Sequence, residues 1–219
     1  MLSPLTRAAL FLVVTIDPGG ESPVRALSSD LSGLQRAVEF RVQEGQLSCV
    51  TGIRSEARDR LFAGPRPVEL HPFRELAGPV HRAVSTPGDL LFHIRAQRPD
   101  LCFALSTEIM DRLRDVTTIR DEVYEFKYFD VRDQLGFVDG TENPVGSAAS
   151  AAVLIGAEDP RFASGTARPA AGSACLVRSS YTWVSAWLRY RGHRGTATAE
   201  MGAASTSRFS CCSLHSDSA

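Results

Sequence analysis

Apolar positions along the chain change period several times, and each change predicts an element. The run "AALFLVVTID" (8–17) is apolar almost throughout, and Pro18, Gly19 and Gly20 follow it, which predicts a buried strand ended by a turn. Val24, Leu27, Leu31, Leu34 and Val38 then recur at spacings of three and four, one face of a long helix. "QLSCVTGI" (46–53) reads as a second strand, "RSEARDRLF" (54–62) as a short helix or turn, and "DLLFHIRA" (89–96) as a third strand. Leu105, Ile109, Leu113 and Val116 mark a second helix, for which Ser106 is the candidate N-cap. In "VYEFKYFDV" (123–131) Tyr124, Phe126 and Tyr128 alternate with Glu125 and Lys127, which predicts a fourth strand.

Strand, helix, strand, repeated once, is the order of an α+β ferredoxin-like sandwich. Two helices would cover one face of a four-stranded antiparallel sheet. The other face needs a partner, either a second such domain or another chain, the latter making a homo-oligomer.

Composition narrows the function more than the fold. A net charge of -1 over 219 residues, with no basic stripe interleaved with aromatics, gives no reason to expect nucleic acid. The longest apolar run, 8–16, is too short to span a bilayer, so no membrane partner and a cytoplasmic location are expected. Cys49 and Cys102 read as small buried hydrophobes of strands or strand edges. Cys175, Cys211 and Cys212 lack metal-ligand spacing to the histidines. His93 in a strand, and His71 and His81 in a Pro-rich connection, read as core or surface groups rather than ligands.

The stretch "GFVDGTENP" (136–144) carries the candidate chemistry. Taken alone it is a turn begun by Asp139, or an acid held between two glycines where backbone can approach a flat ligand. With "GDLLFHIRAQRPDLCFALSTEIMDRL" (88–113) and "YEFKYFDVRDQLGFVDGTENP" (124–144), it resembles the dye-decolorizing peroxidases, in their bacterial, signal-less branch. These are haem enzymes built from two ferredoxin-like domains, of the dimeric α+β barrel type. The likeness runs from about residue 6 to about residue 172.

The resemblance implies haem b as cofactor, with hydrogen peroxide and a bulky reducing organic substrate as partners. It assigns Asp139 as the distal acid–base group, which moves a proton from one peroxide oxygen to the other. Gly136, Gly140 and Thr141 would line the haem edge. The family pattern also asks for a proximal histidine in a Tyr-x-His-Asp segment near a Trp, and for a distal arginine. In "SSYTWVSAW" (179–187) Trp183 and Val184 stand at the His-Asp place, so no residue of this chain is assigned as a metal ligand.

After Trp187 the sequence has no apolar period and matches no family position, His193 and His215 included. A Ser/Ala-rich tail or a shift of reading frame accounts for it. One set of codons for residues 193–199, slid by a base, spells Thr-Glu-Glu-Gln-Gln-Arg, the type of helix that bears the family's arginine. The expected division is therefore a complete first ferredoxin-like domain at 6–144, a connection at 145–172, and an incomplete second domain with an aberrant tail at 173–219. Two functions stand: a haem peroxidase, or a non-catalytic module of the same fold.

Overall fold

A computed structural model of the chain describes residues 6–68, 70–72, 76–79, 82–83, 87–129 and 145–163. Strand β1, Ala8–Ile16, leads through the Asp17–Gly20 turn into helix α1, Glu21–Glu39. Strand β2, Ser48–Ile53, is followed directly by helix α2, Ser55–Leu61. After a two-residue strand pair, β3 (Leu76–Ala77) and β4 (Arg82–Ala83), come strand β5 (Leu90–Ala96), helix α3 (Pro99–Leu113) and strand β6 (Thr117–Phe126). A short helix α4, Gly146–Val153, lies in the Ala/Ser-rich stretch that the sequence reads only as a connection.

The sheet order is β2-β5-β1-β6, and every neighbouring pair is antiparallel. The ferredoxin-like sandwich is the fold. One face of β1 (Ala8, Leu10, Leu12, Val14, Ile16) joins Leu90, Phe92, Ile94 and Ala96 of β5 in a single core with α1, α2 and α3. The helical stripe is as expected: Val24, Leu27 and Leu34 are buried, and Leu31 and Val38 pack against the same cluster. The end of α1 is tied to the start of β2 by side chains. Gln35 Nε2 donates to the Leu47 carbonyl at 2.9 Å, and the Leu47 amide donates to Glu39 Oε1 at 3.1 Å.

Two boundaries differ from the sequence expectation. Helix α3 starts at Pro99, so Ser106 is not a cap but an interior residue whose hydroxyl donates to the Phe103 carbonyl at 2.8 Å. Pro99 takes the first helical position, where its missing N–H costs nothing, and Arg98 before it is extended at φ -129°. Cys102 is therefore a buried helix residue and not part of a strand. Strand β6 begins at Thr117, earlier than residue 123, and carries a bulge against β1 between Val13 and Val14. Its first half holds Arg120, Asp121 and Glu122, so no apolar alternation announces it.

Gly20 fixes how α1 leaves the sheet. A Cβ there would stand 2.5 Å from the Val116 carbonyl oxygen, which accepts the Asp17 amide at 3.0 Å and cannot move without breaking that bond. Gly20→Ala is expected to cost about 1–3 kcal/mol as an overpacking change. Thermal unfolding of the two proteins measures it, and an unchanged midpoint would show that the turn adapts.

Candidate functional site

The chain reaches its candidate loop from the end of β6. The Lys127 amide donates to the Arg7 carbonyl at 2.8 Å, the last described bond to the β1 side. Tyr128 and Phe129 then meet edge to face with ring centroids 4.4 Å apart, and Phe129 has a left-handed backbone at φ 43°. A residue with a Cβ pays a steric cost there, and it marks where the strand direction ends. Gly136, Asp139, Gly140 and Thr141 follow in sequence and lie outside the described residues, as do His81, residues 179–187, His193 and His215.

On the described strands, the two faces of β6 have different fates. Tyr124 pairs with Leu10 and Phe126 with Ala8, so both belong to the helix-covered face, yet they are 50% and 65% exposed because β6 is the sheet's edge. The Tyr124 hydroxyl donates to Glu122 Oε1 at 2.8 Å, and its pKa is pushed up to about 12 by burial of the hydroxyl and by that carboxylate. The aromatic alternation read from the sequence holds for Tyr124 and Phe126 against Glu125.

The opposite face holds the polar groups that the sequence did not single out. Arg95 of β5 and Glu125 of β6 both pair with Ala9 of β1, and Ser48 of β2 pairs with Arg95, so the four form one row across the sheet. Arg95 Nε and Nη2, Glu125 Oε1 and Ser48 Oγ are buried atoms that hydrogen-bond to nothing among the described residues. The next row is apolar, with Val50, His93, Phe11 and Val123 in register. His93 stacks on Phe11 with centroids 4.2 Å apart, and burial first, then the charge of Arg95, lowers its pKa to about 3. The pattern signal for this row was available: Arg95 and Glu125 sit in phase with apolar residues of their strands. Register between strands is what turned that into a cluster.

The two described histidines have separate surroundings. One ring face of His93 is covered by Phe11, and His71 Nδ1 lies 2.9 Å from the Pro72 carbonyl oxygen. Among the described residues no group of three or more His, Cys, Asp or Glu could hold a metal ion. Cys102 is no nucleophile either, since burial pushes its thiol up to about 11. Among the same residues no helix is long and apolar enough to cross a membrane.

Comparison with known proteins places this framework. Residues 1–127 match the family model for the N-terminal part of Dyp-type peroxidases, and residues 130–191 match the model for the C-terminal part. The chain belongs to the Dyp-type peroxidase family. Curated relatives include the dye-decolorizing peroxidases of Rhodococcus erythropolis, 60% identical over 163 residues (74% of this chain and 48% of the relative), and Mycobacterium tuberculosis, 57% identical over 163 residues (74% and 49%). Among solved structures, the encapsulated DyP-type peroxidase from Mycobacterium smegmatis superposes with a TM-score of 0.73 at 55% identity, over 75% of this chain and 53% of that one. DyPB from Rhodococcus jostii gives 0.73 at 49% identity, over 75% and 54%, and variants of that protein were solved in complex with heme. The chain spans about half the length of the curated relatives it matches.

Proposed function

We propose that the chain serves haem-dependent peroxidase chemistry, the oxidation of bulky reducing organic substrates by hydrogen peroxide. The observation that carries this reading is the family match over 130–191, a span that contains "GFVDGTENP". Haem, where bound, supplies the redox step. Asp139 takes a proton from one peroxide oxygen and returns it to the other, and its place between Gly136 and Gly140 keeps bulk away from the reacting atoms. Gly136, Gly140 and Thr141 would be the residues that hold the edge of the macrocycle. No residue of the chain is assigned as the iron ligand, so the reading rests on the loop and its family. A cytoplasmic setting and the division at 6–144, 145–172 and 173–219 belong to the same reading; the family models divide the chain near 127–130.

A second reading, a non-catalytic module of the same fold, is favoured by one specific observation: Trp183-Val184 stands where the family's His-Asp is expected. A haem titration of the purified chain separates the two. Without an imidazole at position 183, no sharp band near ~400 nm is expected, because histidine-ligated haem is what gives that band. A stoichiometric histidine-type spectrum with peroxide turnover would support the peroxidase reading for this polypeptide and place the proximal ligand elsewhere in the chain.

A further inference from the structure

The stretch that bears Asp139 has a described residue range on either side of it. On the entry side the Lys127 amide donates to the Arg7 carbonyl at 2.8 Å. On the exit side come α4 and then the 3-10 turn Pro160–Phe162, and from that turn a bond reaches back 91 positions: the Val68 amide donates to Asp159 Oδ2 at 3.0 Å. Aspartate at the start of a helical turn ordinarily caps it. The Asp159 carboxylate makes no cap bond to its own turn and accepts from Val68 instead.

Val68 stands at the end of a braced loop. Arg58 of α2, its side chain 14% exposed, donates from Nη1 to the Phe62 and Gly64 carbonyls at 3.2 and 2.9 Å. Its Nη2 donates to the Ala63 and Pro65 carbonyls at 3.4 and 2.6 Å. One guanidinium thus gathers four successive carbonyls, which its rigid fork of donors allows and a single ammonium does not. Gly64 takes a left-handed backbone at φ 90° inside this loop, and the Leu70 amide donates to the Pro67 carbonyl at 3.0 Å just after it. Leu70 and Ile155 are both buried, so each partner of the Val68–Asp159 bond has an apolar anchor a few residues away.

We propose that Asp159 is a positioning residue for the Asp139 stretch, and that Arg58 acts through it by fixing where the Val68 amide stands. The role rests on the reading of Asp139 as the acid–base group, whereas the anchor itself needs no haem. A group that moves a proton between two atoms must be held in place, and a stretch tied only at its entry is not. A carboxylate that accepts a backbone N–H makes a stronger tie than a neutral acceptor.

Hydrogen exchange of the full chain, read on peptides spanning 62–70, 90–96, 130–144 and 145–163, tests this. Asp159→Ala is expected to speed exchange over 130–163 by about tenfold or more and to leave 90–96 unchanged. Asp159→Asn keeps an oxygen that accepts the Val68 amide, and should stay within about threefold of wild type. Arg58→Ala should match Asp159→Ala over 130–163, and the double variant should be no faster than either, because the two act along one path. Unchanged exchange over 130–144 in Asp159→Ala would overturn the proposal, as would an Asn variant as fast as the Ala one. Acceleration confined to 62–70 in Arg58→Ala would overturn that residue's part. Acceleration spread evenly into 90–96 would also overturn it, since it marks a general loss of stability. Haem titration of the same proteins keeps the two readings apart: the expected exchange pattern with no haem bound in any of them upholds the anchor and removes only the peroxidase reading.

Discussion

Phe92→Ala is expected to remove about 3–5 kcal/mol of folding stability, the usual cost of deleting a buried aromatic ring. Phe92 sits mid-way along β5, in register with Leu12 on one side and Thr51 on the other, and it is 2% exposed. It faces the helices from one of the two inner strands, so its neighbours are held by the sheet below and by α1 and α3 above. Relaxation into the cavity is therefore limited, and the loss should fall near the top of the range. Against a total of about 5–15 kcal/mol for a domain, that is enough to leave the variant marginal. Urea unfolding checks it: the midpoint should fall with the slope unchanged. Phe103→Ala, on the outside of α3 at 58% exposure, is the control and should shift stability by no more than about 0.5 kcal/mol. Equal losses from the two changes would mean that the core is not where the sheet and helices place it.

The contrast between Phe92 and Phe103 also shows how far the sequence could be read. Five residues of α1 recur at helical spacing over four turns, and all five pack against the core, because a long helix on a sheet has one consistent inner face. Helix α3 is equally buried, but its first turn is "PDLC", and a proline after the polar pair Gln97 and Arg98 reads as a loop until its place at the first helical position is recognised. The edge strand was the harder case. Among the described residues only β1 flanks β6, its exposed positions include Arg120 and Glu122, and the bulge removes the strict period that would betray it.

The candidate site divides in the same way. The loop at 136–144 was legible because its residues are contiguous, so a family likeness can be seen in a single window. The row of Ser48, Arg95 and Glu125 was not, since it gathers residues from three strands whose registers only the folded sheet determines. His93 belongs to both cases. Its strand was evident and so was its poor fit as a ligand, yet its burial against Phe11 and its nearness to Arg95 depend on pairing.

That environment gives His93 the second large expected effect, loss of stability in mild acid. Burial disfavours the imidazolium, Arg95 adds like-charge repulsion, and the folded-state pKa drops to about 3 from an ordinary 6.5. Between those values the unfolded chain takes up a proton that the folded chain refuses. Stability is therefore complete above about pH 6.5 and declines as the pH falls toward 3, by up to about 1.4 kcal/mol per pH unit. Carboxylates with lowered pKa values, Glu21 and Asp100 among them, lose their contribution only below their ordinary values of 4.5 and 3.8, so the interval from about pH 6.5 to 4.5 isolates the histidine. His93→Phe keeps a flat ring against Phe11 and removes the titration. Urea unfolding at pH 7, 6 and 5 (conditions of about one-unit spacing) should show a falling midpoint for the wild-type chain and a nearly level one for the variant. Parallel declines in both would mean that His93 takes up its proton without unfolding, and that its side of the sheet is open to water.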